Sequence, residues 1–148
     1  MTRVRRILHP SDFSRASRAA FDRAVQMAKT DRAELLIVHV LTPIMTLPPE
    51  GYISPKLYED LDTASRSAAA KHLAALVARA RKAGVKVTTA VVEGVPAEQI
   101  ARAAKSRRAD IVVIGTHGRT GLSRFFLGSV ASRVVAIAPC PVLTVRGR

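Results

Sequence analysis

The sequence predicts an α/β fold, a five-stranded parallel sheet of doubly wound type with helices on both faces, for which the strand order is taken as 3-2-1-4-5. Three observations predict it. Five apolar runs alternate with four segments of helical periodicity, beginning and ending on a strand, which is how parallel strands are joined. Two runs, residues 34–40 (ELLIVHV) and 111–114 (IVVI), are apolar almost throughout, as strands covered on both faces should be. A glycine-rich segment follows the second of these and runs into a helix, an arrangement in which backbone N–H groups can hold a phosphate.

Taken in order, residues 4–9 form the first strand, closed by Pro10. Ser11, Asp12, Phe13 and Ser14 make a loop. Residues 15–29 then carry Ala20, Ala24, Met27 and Ala28 at helical spacing, with Ser14 or Asp12 as the cap. Residues 34–40 are the second strand. Residues 41–54 hold Pro43, Pro48, Pro49 and Gly51 and form the long irregular segment, whose Ile44, Met45, Leu47 and Tyr52 suit covering either a ligand or a partner. Ser54-Pro55 starts a long helix, with Ser as N-cap and Pro at the first helical position, and Gly84 stops it after Lys82. Its apolar stripe reads Leu57, Leu61, Ala64, Ala68, Leu73, Leu76, Val77 and Ala80. Residues 85–91 (VKVTTAV) alternate with period two, which puts the third strand at a sheet edge. After the turn Glu93-Gly94-Val95-Pro96 come a shorter helix through Ile100 and Ala104, a strand at 110–114, a helix at 129–137 and a last strand at 141–145.

A chain of 148 residues, 48% hydrophobic and 24% charged, predicts one globular domain over 1–148. No stretch approaches the ~18 apolar residues of a membrane span and no apolar signal core opens the chain, so a soluble cytoplasmic protein without a membrane partner is expected. A single cysteine, Cys140, excludes an internal disulfide or a zinc set and reads as a packed residue. The net charge is +13, from 24 Lys and Arg against 11 Asp and Glu. These cations are scattered along helix faces, with clusters only at residues 3–6, 105–108 and 146–148. Aromatics make up 4% and do not interleave with them. Solvated faces and general anion attraction account for this pattern better than a nucleic-acid module, and specific nucleic-acid binding is not expected.

The glycine segment lacks both the Walker lysine pattern and Gly-x-Gly-x-x-Gly. A phosphate there would be held by backbone N–H groups near Gly115, Gly118 and 128–130, by the Ser129 hydroxyl, and by Arg119 or Arg124; alternatively, the glycines only build a tight turn. In a 3-2-1-4-5 sheet the winding reverses between strands 1 and 4, so the loop from Pro10 to Ser14 faces the loop from Gly115 to Ser129. Asp12 then either accepts hydrogen bonds from a ligand or caps the first helix. His117 lies within reach of a phosphate or a divalent cation, or is simply exposed. His9, His39 and His72 lack metal-ligand spacing and read as packed or surface residues. No nucleophile elbow, carboxylate pair or Cys/His constellation supports catalysis.

Gly115-x-x-Gly118, nine residues, then Gly128-Ser129 resembles the nucleotide-binding signature of the universal stress protein family, in the subset that binds ATP. Ile7-Leu-His-Pro-Ser-Asp12-Phe-Ser14, Gly94-Val-Pro96, Ala109-Asp110-Ile-Val-Val-Ile-Gly115 and Pro139-Cys-Pro-Val-Leu-Thr-Val145 match as well, so the resemblance spans the chain. It implies a Rossmann-like fold and a homodimer with ATP in the crevice. By the same resemblance, Pro10, Ser11 and Asp12 meet the adenosine, Val40 packs on the base, and Ile114, Gly115, Gly118, Gly128, Ser129 and Val130 surround the ribose and phosphates. Ala131 departs from the pattern, standing where nucleotide-binding relatives often have a hydroxyl residue. The expected function is ATP binding with Mg2+ or Mn2+ as a structural or regulatory ligand, in a homodimer paired through residues 141–145, with at most slow hydrolysis. A nucleotide-free homodimeric interaction module is the alternative, and charge-driven nucleic-acid binding a third.

Overall fold

The structure is a computed structural model and describes residues 3–43, 53–117 and 126–147. Strand and helix alternate as β1 (Arg6–Pro10), α1 (Arg15–Asp31), β2 (Glu34–Leu41), α2 (Pro55–Lys82), β3 (Val87–Glu93), α3 (Pro96–Ser106), β4 (Ile111–Gly115), α4 (Ser129–Ile137) and β5 (Val142–Val145). The sheet runs β3-β2-β1-β4-β5 with every pair parallel, as the sequence predicts.

The two faces of the sheet explain the continuous apolar runs. In β2, Leu35 and Ile37 face one way and enter a core with Phe21, Ala24 and Ala28 of α1 and Leu73 and Ala80 of α2. Leu36 and Val38 face the other way, into a core with Ala97, Ile100 and Ala104 of α3 and Ala131 and Val134 of α4. A residue moved by one position would change cores, so the register is strongly specified. At the edge, β3 buries Val87 and leaves Thr88 and Thr89 exposed, after which half-buried Ala90 and Val92 alternate with exposed Val91 and Glu93, so the edge position agrees with the sequence while the phase of the alternation shifts. At the opposite edge all four residues of β5 are half-buried.

Ser14, not Asp12, caps α1: its Oγ accepts from the Ser17 N–H at 3.2 Å. Ser54 caps α2 in the same way, with Pro55 opening the helix. The stripe expected on α2 holds only in its second half. Leu73 and Ala80 are buried, whereas Leu57 is 47% and Leu61 39% exposed, and Ala69 rather than Ala68 enters the core. Length gives the reason: a 28-residue helix spans about 42 Å, while the seven residues of β3 beside it span about 23 Å. Its first turns therefore overrun the sheet. Strand β3 begins at Val87 rather than residue 85, because the Val85 N–H turns back to the Ala80 carbonyl and finishes the helix.

Candidate functional site

The ladder between β1 and β4 carries only Ile7 against Ile111 and Leu8 against Val112, although β1 stays paired with β2 as far as Pro10 and Val38. Beyond Leu8, strands 1 and 4 part. His9 sits at the point of separation, fully buried, and its Nδ1–H donates to the Val113 carbonyl at 2.9 Å. Past it the strands open onto a cavity of about 670 Å³, in the size range of small-molecule sites.

Pro10, Ser11, Asp12, Val40, Ile114, Gly115, His117, Gly128, Ser129 and Val130 all line this one cavity. Residues drawn from three parts of the sequence are thus brought together where the winding reverses. Gly118, Arg119 and Arg124 lie outside the described residues, as do Ile44, Met45, Leu47 and Tyr52 of the 41–54 segment.

The residues on the β1 side are held by their own loop. Ser11 is buried; its N–H donates to the Val38 carbonyl at 2.9 Å and its carbonyl accepts from His39 Nδ1 at 2.7 Å. The Ser11 Oγ accepts from the Phe13 N–H and from Ser17 Oγ, so this hydroxyl is engaged within the protein. Asp12 Oδ1 accepts from the Ser14 N–H at 3.0 Å, bracing the turn that presents the capping serine.

Phe13 was not expected in the site. It takes a left-handed conformation (φ 64°), uncommon for a bulky residue. Stacking holds it there: the His39 ring lies 4.5 Å and the His72 ring 4.7 Å from its centroid. All three rings line the cavity, with Thr116, Ala69 and Ile100. His39 reads from the sequence as a packed or surface residue, although its place immediately before Val40 at the carboxyl end of β2 is a signal for the site. His72 has no such signal, because only the packing of α2 against the β1 loop brings it there.

The two described glycines of the signature have internal reasons for being glycine. A Cβ on Gly115 would lie 2.9 Å from the backbone of Ala16 in α1, and one on Gly128 would lie 2.9 Å from the Thr116 carbonyl oxygen. Gly115 lines the cavity, and its missing side chain also makes room for the first turn of α1. Gly128 also donates its N–H to Thr116 at 2.6 Å, so that amide is occupied.

Helix α4 starts from Gly128 without a side-chain cap, without a proline and without an acidic residue in its first turn. The other helices each have compensation: Ser14 for α1, Ser54 and Pro55 for α2, Pro96 and Glu98 for α3. The first N–H groups of any helix lack intrahelical acceptors. In α4 these belong to Ser129, Val130 and Ala131, which line the cavity. Ala131 packs into the second core and offers a methyl group in place of a hydroxyl. Across the opening, Thr116 Oγ1 and His117 Nδ1 lie 2.9 Å apart in a hydrogen bond. Among the described residues no group of three His, Cys, Asp or Glu side chains is placed to hold a metal ion, and no helix is long and apolar enough to cross a membrane.

Residues 3–146 match the universal stress protein family. A universal stress protein of Methanocaldococcus jannaschii is 40% identical over 144 residues, covering 96% of this chain and 82% of the relative. The solved structure of a second family member from the same organism superposes with a TM-score of 0.86 at 26% identity, over 99% of each chain. A universal stress protein solved in complex with cAMP shares the fold, with a TM-score of 0.75 at 24% identity over 99% of this chain and 100% of that one. The family match along nearly the whole chain and the 40% identity to a family member agree with the superposition of the fold, and the chain belongs to the universal stress protein family.

Proposed function

We propose that the crevice between β1 and β4 binds ATP, together with Mg2+ or Mn2+, as a structural or regulatory ligand of a cytoplasmic protein folded as one domain over 1–148. The observation that carries this reading is the uncapped start of α4 at the wall of a 670 Å³ cavity. Free N–H groups at a helix N-terminus favour an anion, and a relative of the same fold binds cAMP. The backbone of 129–131 and the Ser129 hydroxyl hold phosphate, with His117 at the same cavity and with Gly118 and Arg119, outside the described residues, contributing as well. Asp12 and Pro10 meet the adenosine, while Val40 and Ile114 pack on its apolar faces. Ser11 acts through the loop it secures. The cation is held by the phosphates rather than by a protein ligand set. Two protomers pair through residues 141–145, because the half-buried edge strand β5 has unpaired backbone on its outer side.

Calorimetric titration with Mg-ATP tests the site on wild-type protein and on Ser129→Asp. A carboxylate in the first turn favours the α4 helix but repels phosphate, so binding should weaken at least about tenfold while the unfolding midpoint holds or rises. No detectable wild-type binding at millimolar nucleotide would sink the proposal. Substitution of Gly128 is a poor test, since its Cβ would strike Thr116 with or without a ligand.

A second reading, a nucleotide-free interaction module, draws on the same internal explanation of Gly115 and Gly128 and on the methyl group of Ala131. Acid extraction of the purified protein separates the two: released adenine nucleotide excludes the second reading.

A further inference from the structure

We propose that a groove at the amino ends of the strands, at the opposite end of the sheet from the crevice, binds a small molecule bearing two or more phosphoryl groups. The groove encloses about 430 Å³ between the start of β1, the start of β2 and the chain leaving α3. Arg6, Arg107 and Arg108 line it. Two basic clusters a hundred residues apart in sequence thus converge on one concavity, which no reading of the sequence as scattered charge anticipates.

None of these three guanidinium groups has an ion pair or hydrogen bond among the described residues; the Glu34 carboxylate lines the groove with them, and Asp110 is engaged elsewhere. Asp110 directs Oδ2 at the backbone N–H groups of Arg5 and Arg6, at 2.7 and 2.8 Å. Glu34 Oε1 lies 3.7 Å from Lys86 Nζ. Three guanidinium groups against one carboxylate leave the groove net positive, and an anion placed among them offsets the repulsion between the cations. Guanidinium forks match the paired oxygens of a phosphoryl group, and three of them exceed what a single phosphoryl group requires. The Ser106 and Thr88 hydroxyls complete a polar lining. Among the described residues no aromatic side chain lines the groove to offer a platform on which a nucleic-acid base would stack. The enclosed volume suits a compact molecule.

Titration of 15N-labelled protein with inorganic pyrophosphate is the test. Saturable shifts are expected at the amides of Arg6, Arg107, Arg108 and Ala109. Affinity should fall at least about tenfold in Arg107→Gln and become undetectable in the Arg6→Gln/Arg107→Gln/Arg108→Gln variant. If the triple variant does not fold, Arg107→Gln carries the comparison alone. Shifts confined to residues 114–117 and 126–131 would assign pyrophosphate to the crevice and overturn the proposal. So would affinity that survives the substitutions, or an absence of saturable binding at millimolar pyrophosphate. Duplex DNA that binds more tightly than pyrophosphate, with a salt slope steeper than about three released ions, would reassign the surface to nucleic acid and overturn it as well.

Discussion

His9 should make this protein lose stability in mild acid. Its ring is fully buried and packs at 5.8 Å from Phe21; Nδ1–H donates to Val113, and Nε2 has no hydrogen-bond partner among the described residues. Burial disfavours the charged imidazolium strongly enough to bring the group from 6.5 down to about 4, against the opposing influences of the Val113 carbonyl, Asp12 and Asp22. The unfolded chain takes up a proton on this histidine near pH 6.5, whereas the folded protein refuses it until about pH 4. The stabilisation is therefore complete above pH 6.5 and is lost progressively as the pH falls to about 4. At about 1.4 kcal/mol per unit, that displacement amounts to about 3 kcal/mol, a large part of the 5–15 kcal/mol typical of a domain. Urea unfolding at pH 7, 6, 5 and 4 measures it, with His9→Asn as the comparison. Asparagine keeps a donor for Val113 and cannot titrate, so its stability should fall less with acid by about that amount. Equal pH slopes in the two proteins, or a His9 resonance titrating near 6.5, would refute the reasoning.

Three further outcomes follow from local geometry. Gly115→Ala forces a methyl group against the Ala16 backbone and should cost about 1–3 kcal/mol in nucleotide-free protein, measured by urea unfolding; an unchanged midpoint would show that α1 can recede. Ser14→Ala removes the α1 cap and should cost about 1 kcal/mol, whereas Asp12→Asn, which keeps the Oδ1 acceptor for the Ser14 N–H, should cost less; the reverse order would mean that Asp12 is the true cap. Burial and the Asp110 charge push the Cys140 thiol up, outweighing its hydrogen bond with Val112, so alkylation at pH 8 should be slower in native than in urea-unfolded protein. Equal rates in the two states would contradict that.

The elements were legible because their determinants are local. Ser54-Pro55 and the helix ending ahead of Gly84 require no tertiary information, and the alternation of residues 34–40 between two cores follows from strand geometry once both faces are covered. The crevice was legible at one remove, through the rule that places ligands where the winding reverses. Three things were not. The exposed half of α2 depends on the length of the sheet beneath it, which periodicity does not encode. The stack of Phe13 between His39 and His72 joins a loop, a strand and a helix, and its left-handed backbone has no signature in a phenylalanine. The groove at the amino ends joins residue 6 to residues 107 and 108, a proximity that follows only from pairing β1 with β4.

The charge of the chain is also easier to interpret once its helices have directions. In a parallel sheet the helices run antiparallel to the strands, so their C-termini point toward the amino ends of the strands and place carbonyl dipoles there. Lys29 in the last turn of α1, Arg79, Arg81 and Lys82 in that of α2 and Lys105 in that of α3 answer those dipoles, which accounts for part of the +13 as helix stabilisation. Arg107, the C-cap of α3, and Arg108 beside it also lie at such a C-terminus, whereas Arg6 begins a strand. At the other end the helix N-termini meet a single first-turn acid, Glu98, and two neutral serine caps. An acidic residue in the first turn of α4 would have stabilised that helix. Its absence leaves positive potential at the crevice, the condition a bound phosphate needs, and an N-terminus already neutralised by its own side chains would compete with that ligand.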